Sequence, residues 1–208
     1  MQYSADARAE HRSMPLIFKK RCSTRWMLDT SYTYSTTKDN DSNERSVSSS
    51  GDYPMQQDDL SWSWGHSNFD IRHKFVLSAG YELPFIFMAS TIIHYRSGFH
   101  YTAGDARDNN GDNYDRNERA MYQDSGGNWV LADRNSYDQP ANKRWDLRLS
   151  WTANFSSRLS LELILAVFHV TNEANWRPSN TTLIDDGGDQ VSYFGRRNHP
   201  GQPRHSQF

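Results

Sequence analysis

The segment Asp108-Asn109-Asn110-Gly111-Asp112 spaces Asp108, Asn110 and Asp112 as positions 1, 3 and 5 of a D-x-[DN]-x-[DN] run. Side-chain oxygens at alternate positions of a tight loop converge on one hard cation, and calcium fits such a set. The run then leaves the pattern. Asn113 stands where an EF-hand loop turns on glycine, Gly111 comes two residues early, and Arg119 takes the place of the closing bidentate acid, with Glu118 one residue before it. Asp115 is available as a substitute ligand. The expectation is a weak calcium site built from Asp108, Asn110, Asp112 and Asp115, relevant only to millimolar external calcium. The competing expectation is a solvated acidic loop. No other cofactor is called for.

Catalytic patterns are missing elsewhere. The eight histidines, among them His66, His73, His94, His100, His169, His199 and His205, show no HExxH or other metal-ligand spacing. No nucleophile elbow, phosphate-binding loop or dinucleotide fingerprint is present. Asp58 and Asp59 are adjacent, and on an extended chain they point to opposite sides. An enzyme is not expected. Trp62, Trp64, Trp129 and Trp176 lie in polar connections, where an indole either stacks on a ligand or packs against its own loop.

What must position these residues is a set of strands. Arg144-Trp145-Asp146-Leu147-Arg148-Leu149-Ser150-Trp151 alternates large apolar and polar side chains, which a β-strand sends to opposite faces. The same period of two runs through Trp26–Tyr34, Phe75–Leu83, Phe87–Tyr95 and Leu159–Val167. A shorter strand is expected at Pro15–Lys20 and a last one near Pro203, making about seven. The connections alternate short and long: Arg21–Thr24, Thr36–Asp70, Pro84–Ile86, Ser97–Lys143, Ser156–Arg158 and Thr171–Gln202. Tight turns on one side and long loops on the other are the asymmetry of outer-membrane barrels. The long connections are rich in Asp, Asn, Ser, Gly and Arg and read as solvated. Rings at strand ends, Trp26, Tyr34, Tyr81, Tyr95, Trp145, Trp151 and Phe155, suit interfacial girdles.

Composition bounds the alternatives. A formal net charge of -2 over 208 residues gives no push toward nucleic acid. A mean hydropathy of -0.90 fits a barrel as readily as a soluble chain, because half of each strand is polar. The single cysteine, Cys22, excludes an internal disulfide and reads as a turn residue. No run approaches the roughly 18 apolar residues of a spanning helix, and Met1–Met14 does not read as a signal peptide.

Several stretches carry a family likeness, in order: Arg25-Trp26-Met27-Leu28 with Ser31–Ser35, Asp70–Phe75 leading into Ala79–Pro84, Arg96-Ser97-Gly98 with Tyr101-Thr102, Asp108–Asp112 ending in Asp115-Arg116, Val167–Asn172, and Phe194-Gly195-Arg196 before Gly201–Arg204. Together they resemble the C-terminal barrel of TonB-dependent outer-membrane receptors, in the Oar-like branch that carries a carboxypeptidase-regulatory-like domain ahead of the plug. His169 stands where that family usually has Asn.

The resemblance implies an all-β fold: an antiparallel up-and-down meander that forms part of a transmembrane β-barrel of about 22 strands. It implies that 1–208 is a partial C-terminal segment, with plug, TonB box and signal peptide outside it. The intact receptor would bind or import a bulky solute at the bacterial outer membrane. Its implied partners are outer-membrane lipid, the remaining barrel and plug, and the TonB complex through those other parts. Seven strands alone would leave two unpaired edges that hydrocarbon does not tolerate. Arg72, Lys74, Asp146, Arg148 and Glu162 are expected to face the lumen and to bond across strands.

Two other architectures suit the alternation: a soluble calcium-dependent carbohydrate-binding β-sandwich, and a small complete outer-membrane barrel serving as an adhesin or structural protein. A second β-layer over Trp145, Leu147, Leu149 and Trp151 would decide for the sandwich.

Overall fold

The computed structural model describes residues 6–42, 54–56, 59–113, 115, 117–178, 180–199 and 205–207. One antiparallel sheet runs in chain order: β1 (Ala9–Ser23), β2 (Trp26–Asp39), β3 (His73–Leu83), β4 (Phe87–Arg96), β5 (Asn142–Ser156), β6 (Leu159–Phe168) and β7 (His205–Gln207). Every neighbour in the sheet is the next long strand in sequence, so the topology is up-and-down. Gly65–His66 adds a short rung at the end of β2. Among the described residues β1 and β7 are edges.

The strands run longer than the alternation alone predicts. β1 starts at Ala9 and passes through Pro15, which an edge strand tolerates because a missing N–H need not break a ladder on both sides. Cys22 lies in that strand rather than in the turn. The turn is Thr24-Arg25, both at positive φ (63° and 68°), the backbone twist that a two-residue hairpin demands. Phe85 and Ile86 turn the next hairpin, again at positive φ (62° and 67°). β2, β4 and β6 start where the alternation starts, at Trp26, Phe87 and Leu159, and β7 starts at His205, near its expected place; Pro203 lies outside the described residues.

Register decides what each face presents. Leu16 opposes Tyr32, Tyr32 opposes Phe75, Phe75 opposes Tyr95, and Tyr95 opposes Lys143. Nearer the tight turns, Trp26 opposes Tyr81, Phe87 opposes Trp151, and Trp151 opposes Leu163. Because pairing preserves face, the apolar sets of six strands form one continuous surface. Nothing in the described chain covers it. Leu163 is 56% exposed and Phe85 86%, with Leu16, Phe18, Trp145, Leu147, Phe155 and Leu161 also exposed. No second β-layer faces Trp145–Trp151, so among the described residues the sandwich finds no support.

Several polar atoms on this surface bond within the protein. The Trp145 indole N–H donates to Thr91 Oγ1 (2.7 Å), and the Thr91 hydroxyl donates to Asp146 O (3.0 Å). Thr30 Oγ1 donates to Val76 O (3.2 Å). Such closure is what a medium without hydrogen-bonding partners requires. From Trp145 to Phe155 the strand rises ~33 Å, or ~25 Å across a bilayer at a tilt of about 40°, the height of a barrel's apolar band between its aromatic girdles.

The opposite face pairs charges, across strands for Arg148 and Glu162 as expected but along one strand for Asp146. Arg148 Nη2 meets Glu162 Oε1 at 3.0 Å, Lys19 Nζ meets Asp29 Oδ2 at 3.1 Å, and Arg144 Nε meets Asp146 Oδ2 at 2.6 Å. Lys74 lies on this side by alternation, while Arg72 precedes β3. Ile17, Ile92 and Ile164 interrupt the polar surface and are exposed.

Position on a face therefore predicts the cost of a charge. Leu163→Arg should lower the unfolding free energy in phospholipid vesicles by about 2–4 kcal/mol, whereas Thr152→Arg, opposite Glu162 on the polar face, should change it by less than ~1 kcal/mol. Urea titration followed by tryptophan fluorescence reads both; equal costs would overturn the assignment of faces.

Candidate functional site

Among the described residues the buried apolar core is not in the sheet. Ala103, Ala120, Ala132, Leu183 and Ile184 form it, with Tyr122, Tyr137 and Phe194 packed against them, and all come from the connections 97–141 and 169–204. The expectation of simple solvated loops is thereby corrected. Small alanines let backbones close up: Gly104 N donates to Thr181 O (2.8 Å), Ala106 N to Ile184 O (3.0 Å) and Ala120 N to Ala103 O (2.8 Å). Gly104–Asp105 and Thr182–Ile184 pair in parallel, a contact between distant segments that no local sequence signal announces. Gly98 serves the same closeness, since a Cβ there would lie 1.8 Å from Gln139 O.

Polar hubs bind connection 40–72 to this cap. Asp70 is fully buried (0% exposed). It accepts from Thr37 N (2.9 Å), and its other oxygen lies 2.8 Å from His66 Nδ1 and 3.1 Å from His100 Nε2. His100 Nδ1 in turn contacts Asp138 Oδ1 at 2.5 Å. The His66, Asp70 and His100 atoms are close enough for a metal ion, yet each is already engaged with another of the three. Arg134 is the second hub: Nη1 donates to Asp39 Oδ1 (2.6 Å), Asp39 O (2.7 Å) and Ser63 O (3.1 Å), and Nη2 to Ser42 Oγ (2.6 Å). Asn135 Nδ2 adds bonds to His66 O and Asn68 Oδ1. Between these loops opens a polar cleft of about 420 Å³, walled by Asn40, Thr102, Glu118, Arg134, Asn135 and others.

Asp105, also buried, holds a two-pronged bond from Arg107: Nε to Oδ1 (2.9 Å) and Nη2 to Oδ2 (2.8 Å). Burial pushes its carboxyl up, but the Arg107 side-chain and backbone bonds and the Asn109 side chain outweigh that and hold it below the ordinary carboxylate value of 3.8.

The four tryptophans separate into two kinds. Trp129, 66% exposed, tips the hairpin Met121–Gln123 with Trp129–Leu131, and Trp62 is exposed on a turn that Asp59 caps. Trp64 lies under the Arg8 guanidinium, 5.0 Å from the ring centre. Trp176 is half-buried in a gap beside Arg96, Phe99 and Asn175.

The acidic loop closes on itself. Asp108 accepts from Gly111 N (2.7 Å) and Asn113 N (2.9 Å), and Asn110 Oδ1 accepts from Asp112 N (2.9 Å). Asn113 has φ 64°, so this asparagine takes the left-handed turn for which the motif uses glycine. Asp108 and Asp112 come together with Glu118; Asp115 is exposed and outside that group.

The profile of the outer membrane beta barrel domain matches residues 1–207. The chain belongs to that family. Neither a curated protein nor a solved structure matches it. As an outer-membrane β-barrel domain it resides in the bacterial outer membrane, and the continuous exposed apolar surface is what that location asks of its strands. The loop cap, carried on the side opposite the tight turns, is the candidate site of the barrel domain. His169 has φ 51°, and its N–H donates to the buried Asp146 Oδ1 (3.0 Å). Histidine, with Asn and Asp, is among the residues that enter the left-handed region most readily.

Sequence reasoning noted Glu118 as one place off the motif without including it among the ligands, and it missed Asp70, His66, His100 and Arg134 as a set. Their separations follow no motif, and the only sign was the isolated Arg-Asn-rich composition of the loops.

Asp70→Ala should leave the donors around it without an acceptor and destabilise the cap by about 3 kcal/mol. Tryptic cleavage within 97–141 should accelerate, while Trp62→Ala leaves it unchanged. For Asp105 the sign is that of a depressed carboxyl: its contribution is present above pH 3.8 and is lost as pH falls through the lower folded value. Arg107→Met removes the opposing pull, so loss of the cap in an acid titration, followed by tryptophan fluorescence, should begin at higher pH.

Proposed function

We propose that this barrel domain is part of a TonB-dependent receptor that binds or imports a bulky solute, with the loop cap as the outer ligand-contacting surface. The observation that carries the reading is the joined cap itself. Three long connections meet through one small apolar core and two polar hubs, enclosing a polar cleft at the end of the sheet that would face outside. A purely structural barrel has no use for so much ordered polar surface at its mouth. The ordered family-like segments named above favour the same reading.

The partners follow from the two faces. Acyl chains cover the surface of Leu16, Phe18, Trp145, Leu147 and Leu163. The opposite surface, with Arg148–Glu162 and the exposed Ile17, Ile92 and Ile164, suits contact with a plug domain inside a closed barrel. Exposed Trp62 and Trp129 offer flat faces to an arriving solute, and Trp64 and Trp176 pack within the loops. The protein works as a receptor and performs no covalent chemistry.

The test compares cells carrying the gene in its native context with cells lacking it, each with and without TonB, and measures which solutes disappear from the medium. A solute depleted only when both gene and TonB are present supports the reading. Depletion that needs the gene but not TonB would make the domain a passive pore.

A further inference from the structure

We propose that Asp108, Asp112 and Glu118, together with the amide oxygen of Asn117, form a calcium site that clips residues 54–56 to the loop 97–141. The proposal concerns the architecture of the cap and goes beyond the transport reading.

An acidic cluster alone would not support it. What singles this one out is Glu118, 3% exposed, whose two carboxylate oxygens are both buried and have no hydrogen-bond partner. The N–H groups of Asn109 and Asn110 lie near enough to oppose the upward push that burial, Asp112 and Asp108 exert on its proton affinity, but neither closes a hydrogen bond. Asn117 Oδ1, on the neighbouring residue of the chain, is buried and unpartnered as well. Native proteins pair nearly all buried polar atoms, and an ionised carboxylate left alone is the costliest exception. A cation among these oxygens removes the anomaly.

The geometry has the right scale. One ligand atom from each of Asp108, Asp112 and Glu118 lies within 4.8 Å of the others. Two oxygens of a single calcium shell sit at most about 5 Å apart, twice the usual 2.3–2.6 Å bond. The three lie close enough to share one ion's shell with small side-chain adjustments. The donors are carboxylate and amide oxygens with no nitrogen or sulfur, which excludes a zinc-type preference. The loop turns through positive φ at Gly111 (77°) and Asn113 (64°), and an irregular loop suits calcium, which accepts varied oxygen shells, better than magnesium, which demands a near-ideal octahedron.

The same residues reach across to the first long connection. Asn110 Nδ2 donates to Met55 O (2.6 Å), and Asn117 Nδ2 donates to Pro54 O (3.3 Å) and Asp112 Oδ2 (3.4 Å). An ion that fixes Asp112 and Asn117 thus fixes the strap at 54–56 as well. Glu118 and Asn117 also wall the polar cleft, so the ion would set the cleft's shape. The ligand set differs from that expected from spacing: Glu118 closes the site in place of Asp115.

The experiment uses the full-length gene product, extracted from outer membranes in detergent and stripped with EDTA. Calcium is titrated by calorimetry, and tryptic cleavage within 97–141 is followed with and without the ion. Wild type should bind one calcium and become protected. Glu118→Gln, which keeps the volume and removes the charge, should lose binding and protection in calcium yet be no less protected than wild type in EDTA, a result that a misfolded variant could not give. Asp115→Asn should bind as wild type does. Absence of calcium binding by folded wild type, survival of binding in Glu118→Gln, or an equal response to magnesium would each overturn the proposal.

Discussion

Each of the six long strands of this sheet carries an apolar half that nothing among the described residues covers. Leu16, Phe18, Leu147, Leu161 and Leu163 would be core residues in a water-soluble protein, and here they stand exposed on one continuous surface. In water that surface would drive aggregation; in hydrocarbon it costs nothing, because acyl chains solvate leucine as well as another leucine does. The medium then makes a second demand. Each backbone and side-chain polar group near it must bond within the protein, which the ladders and the Trp145–Thr91–Asp146 relay accomplish.

Once the sheet is relieved of making a core, burial has to happen elsewhere, and it happens in the connections. Their composition permits only a small apolar nucleus, built from three alanines with Leu183 and Ile184. What enlarges it into a cap is a set of buried charges with several partners each. Asp70 and Arg134 tie a segment near residue 40 to segments near 66, 100 and 134, so four stretches become one object. Buried charges of this kind add little net stability but tolerate few alternative arrangements, which suits a surface that must hold a cleft open.

The cap and the sheet meet where strand ends run past the apolar band. β2 continues to Asp39, whose carboxylate receives Arg134, and β5 begins at Asn142, close to the Asp146 that caps His169. Strands longer than their alternating cores are thus explained: the extra residues serve the loops. That is also why sequence alternation placed these boundaries short.

The sequence by itself determined the strands, their order and the inequality of the two sides, because alternation is a local property and each hairpin joins neighbours along the chain. RWDLRLSW already contained the two faces. It could not say that the long connections are ordered, since composition records how much burial a segment can drive and not which distant carboxylate an arginine will find. Spacing noted Glu118 but could not choose it over Asp115, because the loop 108–113 turns through Asn113 at positive φ and brings in an acid one place away from the motif's position. Strand pairing repeats a pattern written in consecutive residues. The cap's hubs join Asp70 to His100 and Asp39 to Arg134, 30 and 95 positions apart, and only the folded chain decides those contacts.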